Sequence, residues 1–262
     1  VRELMLKAAF LSDIGLVRTV NEDSAFVQEQ VHGWSLAIVA DGMGGHQAGD
    51  VASKMAVEWI PQGLLPLDPA ASEEELAERL KSAVELANAQ IFEFASGRES
   101  YHGMGTTVVA VLANPSVAVI AHIGDSRAYR IREGRLEQLT QDHSLVNELL
   151  KSGQITREEA DHHPRRNVLT RALGTEATIE VDVQSVYWRP GDLLLLCSDG
   201  LSGLVEQERI LSTVLEESSL EHKVRRLVDE ALAAGGDDNV TVVLLENVPQ
   251  NGEASQQTRE AR

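Results

Sequence analysis

Apolar and polar positions along this chain switch between the period of a strand and the period of a helix. Residues 36–40 form a short, unbroken apolar run ending at Asp41-Gly42, which reads as a buried strand running into a tight turn. Residues 47–65 space their apolar side chains for a helix, which Pro61 limits or kinks. Ser72 followed by Glu73, Glu74 and Glu75 reads as an N-cap with an acidic first turn. From there Leu76, Leu80, Val84, Ala87, Ile91 and Phe94 fall on one stripe, predicting a long amphipathic helix over 73–95.

A strand-rich block follows. Runs at 106–113, 116–123, 128–132 and 136–139 read as successive strands, with Asn114-Pro115 and Glu133-Gly134 as turns, the second a hairpin signal. Short helices are expected at 145–151 and 157–162, around Ser152-Gly153, before Pro164-Arg165-Arg166 opens an irregular basic stretch. Strand character returns at 181–187 and 193–198, helices at 206–215 and 221–233, and a last strand at 240–246. Strands cluster with helices between the clusters, which favours α+β layering over a doubly wound parallel sheet. No repeat or internal boundary interrupts the pattern. The polar residues 248–262, rich in Gln, Glu and Ser, are expected to form a disordered tail.

Composition narrows the function. The 262 residues carry a net charge of -18, which argues against nucleic acid or an anionic membrane as a partner. The excess carboxylate serves solubility, and a cation site also draws on such residues. The single cysteine, Cys197, lies in an apolar run with no basic neighbour, so it reads as a buried structural residue of a chain suited to a reducing cytosol. No apolar run approaches the ~20 residues that span a bilayer. The N-terminus lacks the charged region, apolar core and cleavage site of a signal peptide.

Four aspartates share one kind of position. Asp41, Asp125, Asp199 and Asp238 each lie beside an apolar strand, and three of them touch glycine. An aspartate at a strand end is often only a turn former. Four together, with glycines that let the backbone approach a ligand and expose a carbonyl, suit a site where strand ends converge. Oxygen ligands of this kind select Mg²⁺ or Mn²⁺, and neither a cysteine cluster nor a His-Glu-x-x-His zinc signature is present. Two such ions roughly 3.5–4 Å apart generate a hydroxide and stabilise phosphoryl charge. Arg18, four residues before Glu22 in Arg18-Thr19-Val20-Asn21-Glu22-Asp23, offers a fork that matches phosphate oxygens, although the segment also reads as a solvated polar loop.

Seven segments, in order across residues 8–246, together carry a resemblance. They are Ser12-Asp13-Ile14-Gly15 with Arg18 to Asp23; Val39-Ala40-Asp41-Gly42-Met43-Gly44-Gly45-His46; Gly103-Met104-Gly105-Thr106-Thr107; His122-Ile123-Gly124-Asp125-Ser126-Arg127; Leu169-Thr170-Arg171-Ala172-Leu173-Gly174; Leu195-Leu196-Cys197-Ser198-Asp199-Gly200-Leu201; and Gly235-Gly236-Asp237-Asp238-Asn239-Val240-Thr241. The chain resembles bacterial members of the type 2C, metal-dependent Ser/Thr protein phosphatases, the PPM family. The resemblance implies a β-sandwich of two antiparallel sheets flanked by helices, within a phosphatase domain over 1–247, with a metal centre at one end. It implies that Asp41 bridges two ions of Mn²⁺ or Mg²⁺ and that the Gly42 carbonyl joins the first. Asp199 and Asp238 would hold the second, and Glu22 would act there through water. Asp125 with Asp199 would form a third, weaker site, and Arg18 would bind the substrate phosphate. Asp237 is set aside as a surface or supporting residue.

The mechanism implied is attack by a metal-bridging water or hydroxide on phosphoserine or phosphothreonine, with no phosphoenzyme. One departure leaves the proton donor open. Eukaryotic relatives carry a histidine directly after the Asp-Gly pair, where this chain has Met43. His46 is the nearby candidate for general acid, and it reads equally as a loop histidine. Residues 142–174 match the family's variable flap, whose His162, His163, Arg165 and Arg166 suit either phosphopeptide binding or an exposed basic patch. A phosphatase of small phosphate esters and a degenerate, non-catalytic phosphoprotein-binding module are the alternatives. The resemblance further implies a cytoplasmic monomer acting on substrates of a bacterial Ser/Thr kinase.

Overall fold

Side-chain alternation sets the layers of this molecule. In the run Leu193–Cys197 every residue is buried. Leu193, Leu195 and Cys197 enter one apolar cluster and Leu194 and Leu196 another, as the two-residue period of a strand requires. A strand buried on both faces has a layer on each side of it.

The computed structural model describes residues 6–31, 33–44, 48–64, 67–68 and 71–248. In chain order the elements are β1 (Leu6–Asp13), β2 (Asp23–Val31), β3 (Trp34–Met43), α1 (Ala48–Leu64), α2 (Glu73–Ser96), β4 (Gly105–Thr106), β5 (Val108–Ala113), β6 (Val117–Ile123), β7 (Arg127–Arg132), β8 (Arg135–Gln138), α3 (Leu145–Lys151), α4 (Arg157–Asp161), β9 (Asp182–Tyr187), β10 (Leu193–Cys197), α5 (Asp199–Ser202), α6 (Gln207–Val214), α7 (Leu220–Ala233) and β11 (Val240–Asn247).

Two antiparallel sheets result. One has the order β1-β11-β10-β7-β8 and the other β2-β3-β5-β6-β9, with β4 paired to β3. Between them lie Ala37, Val39, Val109, Val111, Ala118 and Ile120 of one sheet and Leu194, Leu196, Val243 and Leu245 of the other. The outer face of the second sheet, with Leu36, Ile38, Ala110 and Leu112, packs on Ala52, Ala56 and Ile60 of α1 and Leu76, Leu80 and Val84 of α2. Each large aliphatic side chain buried there contributes about 1.5–3 kcal/mol. The outer face of the first sheet packs on α5, α6 and α7 through Leu201, Ile210, Val214, Val224, Leu227 and Val228. The architecture is α+β, a β-sandwich flanked by helices.

Local chemistry agrees with these elements. Ser72 and Glu75 close a reciprocal capping box at the start of α2, with Ser72 N–H donating to Glu75 Oε2 at 2.8 Å and Glu75 N–H to Ser72 Oγ at 3.2 Å. Pro61 falls in the last turn of α1, which runs on to Leu64. The turn expected at Asp41-Gly42 is not formed. β3 continues through Met43 because β4 supplies a partner, pairing Gly42 with Thr106 and Met43 with Gly105. Strands β1 and β2 have no counterpart in the sequence reading. Both are edge strands, and Phe10 on β1 is 53 % exposed, so neither shows a clean apolar run. Among the described residues no helix is long and apolar enough to cross a membrane.

Candidate metal centre

The ladders bring particular strand ends to one rim of the sandwich. Asp23, opening β2, pairs with Asp41 near the end of β3. Val108, opening β5, pairs with Ile123 at the end of β6, two residues before Asp125. Cys197 at the end of β10, two residues before Asp199, pairs with Arg127 at the start of β7 and Val242 near the start of β11. Asp13 at the end of β1 pairs with Val240, two residues after Asp238. Asp41 continues the Ala37, Val39 alternation and so faces the space between the sheets.

The backbone around Asp41 is fixed from several sides. Its N–H donates to Thr107 Oγ1 at 3.0 Å, and its carbonyl accepts from Thr107 N–H at 2.8 Å and Thr106 Oγ1 at 2.9 Å. Gly42 is buried and donates its N–H to the Glu22 carbonyl at 3.1 Å. A Cβ at Gly42 would lie 2.0 Å from the Gly49 carbonyl oxygen in the first turn of α1. Only glycine allows that approach of strand, loop and helix.

The loop before β2 carries Arg18 and Glu22, and Asn239 holds it in place. The buried Asn239 side chain donates to the Ile14 carbonyl at 2.9 Å and the Val20 carbonyl at 3.0 Å, and accepts from Glu22 N–H at 2.8 Å. The Glu22 carboxylate accepts from the N–H groups of Gly49 and Asp50, at the positive end of α1. Arg18 reaches across to Asp238, with Nη2 2.7 Å from Oδ2, and its Nε donates to the Asp237 carbonyl at 3.4 Å.

The electrostatics of the rim are those of unbalanced negative charge. Burial, then the charges of Asp23, Asp199, Asp125 and Asp238, push the Asp41 carboxyl well above the ordinary carboxylate range. Burial and Asp238 raise Asp199, which lies within hydrogen-bonding reach of Asp41. Burial, then the charges of Asp199 and Asp142, push Asp125 up to about 7. Burial pushes Asp23 up to about 7 against hydrogen bonds from Ser198 and Thr241. Ser198 Oγ donates to Asp23 Oδ2 at 2.7 Å, while Asp23 Oδ1 is buried without a partner. Burial also raises Glu22. Two guanidiniums act on this cluster, that of Arg18, paired with Asp238, and that of Arg127, clamped on Asp142 by bonds of 2.7–3.1 Å. Carboxylates crowded in this way, with an orphaned buried oxygen, fit hard divalent cations, which take oxygen ligands and discharge the mutual repulsion.

The structure therefore gathers Arg18, Glu22, Asp41, Gly42, Asp125, Asp199 and Asp238 at one rim. His46 lies outside the described residues. Asp237 is exposed, and of the basic residues at 162–166 His162, Arg165 and Arg166 are exposed. Cys197 is fully buried, and burial pushes its thiol up to about 12. Sequence reasoning gave no role to Asp23, Asn239 or Thr107, although all three stand within the quoted motifs. Their roles depend on partners distant in sequence, and adjacency to Glu22 and Asp238 was the only signal for two of them. Residues 142–174 are anchored near both ends. Thr170 N–H donates to the His143 carbonyl at 2.9 Å, and Leu173 and Thr106 exchange backbone bonds of 2.8 and 3.1 Å beside Asp41.

The sequence profile of the family described as protein phosphatase 2C matches residues 17–245. A serine/threonine phosphatase, stp, of Listeria welshimeri is 43 % identical over 248 residues, covering 94 % of this chain and 98 % of that protein. The crystal structure of the Mycobacterium tuberculosis serine/threonine phosphatase PstP/Ppp superposes with a TM-score of 0.86 at 39 % identity, covering 94 % of this chain and 100 % of that one. The catalytic domain of the serine threonine protein phosphatase PstP in complex with 2 manganese ions superposes with a TM-score of 0.82 at 38 % identity, over 94 % of this chain and 100 % of that one.

Proposed function

Because this chain belongs to the protein phosphatase 2C family, and is a metal-dependent protein serine/threonine phosphatase, we propose that its catalytic centre is the carboxylate rim between the two sheets. The observation that carries the assignment is the set of raised carboxyls of Asp41, Asp125 and Asp199 facing one another at converging strand ends. In this reading Asp41 and the Gly42 carbonyl would hold a first ion of Mn²⁺ or Mg²⁺, with Asp41 also serving a second. Asp199 and Asp238 would hold that second ion, with Glu22 acting through water, and Asp125 with Asp199 would hold a third, more weakly. Manganese is supported by its presence in the PstP relative.

Bound ions of this class acidify a water to make the nucleophile and draw off phosphoryl charge. The chain's own residues do the rest. Arg18, on a loop pinned by Asn239, presents its fork to the phosphate, and its half-exposed position leaves it accessible to a substrate. Leu16 and Val17, 67 % and 64 % exposed beside it, offer apolar contact to residues flanking a phosphoserine or phosphothreonine, which favours a protein over a small ester. Cys197 is kept protonated by burial, so no thiolate competes as nucleophile. His46 is retained as candidate proton donor, since Met43 cannot serve.

The physiological setting extends this reading: a cytoplasmic monomer opposing a bacterial Ser/Thr kinase, with no nucleic acid or membrane partner, in keeping with the net charge of -18. The domain is read as residues 1–247, with a flap over 142–174 and a polar tail over 248–262. The test is hydrolysis of a phosphothreonine peptide by wild type and Asp41→Asn, with and without Mn²⁺. Activity that needs no metal, or a fully active Asp41→Asn, would sink the assignment.

A further inference from the structure

Beside Asp125 lies a group that no step above uses. His122 ends the inward-facing row of β6, and its cross-strand partner is Asp182, which opens β9. The His143 ring stacks on His122 with centroids 4.9 Å apart and planes at 14°. One nitrogen of each histidine and an Asp182 oxygen lie within 4.8 Å of one another, a spacing that suits a cation. The hydrogen bonds argue otherwise. Gly124 N–H donates to His143 Nδ1 at 3.2 Å, so Nδ1 carries no proton and the neutral ring holds it on Nε2. That Nε2 is 3.2 Å from Asp182 Oδ2 and donates to it. A metal on Nε2 would move the proton to Nδ1, against the Gly124 N–H.

We infer that Asp182 and His143 are positioning residues that hold the Gly124-Asp125 turn, and through it the third metal site. The inference rests on Asp125 being a ligand there.

The chain of contacts is continuous. Arg171 Nη1 donates to Asp182 Oδ1 at 3.1 Å, leaving Oδ2 for His143. Asp182 fixes the tautomer and orientation of His143, as carboxylates do for histidines that act through their other nitrogen. His143 then grips Gly124 twice, accepting its N–H at Nδ1 and donating its own backbone N–H to the Gly124 carbonyl at 2.8 Å. Gly124 needs that grip because it stands at φ +100, and the Thr107 side chain would lie 2.6 Å from any Cβ there. Burial holds both histidines below the usual imidazole value, so the ring stays neutral at pH 7 and the tautomer is preserved. Asp125 follows Gly124 directly, so freeing the turn moves a carboxylate that faces Asp199.

The experiment is Mn²⁺ binding to the full chain by calorimetry, with melting temperature as a fold control. The variants are His143→Ala, His143→Asn, Asp182→Ala, Asp125→Asn and the double His143→Ala/Asp125→Asn. The weakest Mn²⁺ step should weaken on the order of tenfold or more in His143→Ala and Asp182→Ala, with the tighter steps unchanged. An asparagine oxygen stands where Nδ1 stood, so His143→Asn should recover most of that loss. The double variant should bind no more weakly than Asp125→Asn alone. If Asp125→Asn leaves every Mn²⁺ step unchanged, the assignment of Asp125 falls and the inference falls with it. If Asp125→Asn weakens the last step but the His143 and Asp182 variants do not, or their losses add to it, the inference alone is overturned. Should His143→Ala fail to fold, Asp182→Ala decides, because Asp182 is partly exposed and its removal leaves Gly124 without backbone damage.

Discussion

Arg18 Nη2 lies 2.7 Å from Asp238 Oδ2, so the proposed phosphate-binding cation and a proposed metal ligand, 220 residues apart in sequence, form an ion pair. Both side chains are partly exposed, at 48 % and 32 %. A pair of that kind contributes at most about 1 kcal/mol, so its value is in function. Arg18→Ala is expected to leave the melting temperature nearly unchanged and to lower kcat/KM on a phosphothreonine peptide by about 10²-fold. Arg18→Lys restores the charge without the fork and should recover only part. Steady-state kinetics at saturating Mn²⁺ decide it, and an Arg18→Ala enzyme with wild-type kcat/KM would remove Arg18 from the site.

Asp41 faces four other carboxylates, and their repulsion is part of what raises its proton affinity. Asp41→Asn replaces that carboxyl, costly there whether charged or protonated, with a neutral amide. The metal-free variant should therefore melt no lower than wild type, and Mn²⁺ should no longer raise its melting temperature. Wild type should gain about 2.7 kcal/mol at a hundredfold excess of Mn²⁺ over its dissociation constant. Thermal melts with chelator and with Mn²⁺ provide the check. A destabilised metal-free Asp41→Asn would contradict the repulsion argument.

The raised carboxyls also set a sign for pH. Asp23 and Asp125 move from 3.8 in an unfolded chain to about 7 in the folded one. Between those values the native state binds more protons than the unfolded state, so this part of the stability is full at low pH and is lost as pH rises through 7. Chelated protein should melt at a higher temperature near pH ~5.5 than near ~7.5. Saturating Mn²⁺ should shrink or reverse the difference, because the ions bind the deprotonated carboxylates. A metal-free melting temperature that climbs steadily with pH across that range would count against a strained carboxylate cluster.

Gly42 offers a steric test. Its missing Cβ is replaced in space by the Gly49 carbonyl oxygen, 2.0 Å from where a methyl would sit. Gly42→Ala must separate β3 from α1, at a cost of about 1–3 kcal/mol. It should also weaken Mn²⁺ binding, since the carbonyl of Gly42 itself is the proposed ligand. Denaturant unfolding and Mn²⁺ titration measure the two effects, and a Gly42→Ala protein of wild-type stability would show that the contact yields easily.

The inner strands were legible because both their faces are apolar. The run Leu193–Cys197 could be read directly, as could the helix opened by Ser72. The edge strands β1 and β2 were not, although the other two edges, β8 and β9, were read at 136–139 and 181–187. β1 mixes a buried Leu6 with the exposed Lys7 and Phe10, and no period survives that mixture. The aspartates were legible as types in glycine-rich contexts, and the family resemblance gave them roles. Their convergence depends on ladder register, which pairs Asp23 with Asp41 and places Asn239 beneath the Arg18 loop. Asp182 and His143 stand 39 residues apart, so no local pattern joins them.

One topological fact bears on when this molecule becomes active. β11, the last of the described strands, sits between β1 and β10, and its leading residues bring Asp238 to the rim. A chain still emerging from the ribosome leaves the β1 and β10 edges that flank β11 unpaired and lacks a corner of the proposed metal centre until that strand arrives. A chain cut short before residue 238 therefore leaves those two edges open and lacks one of the proposed metal ligands.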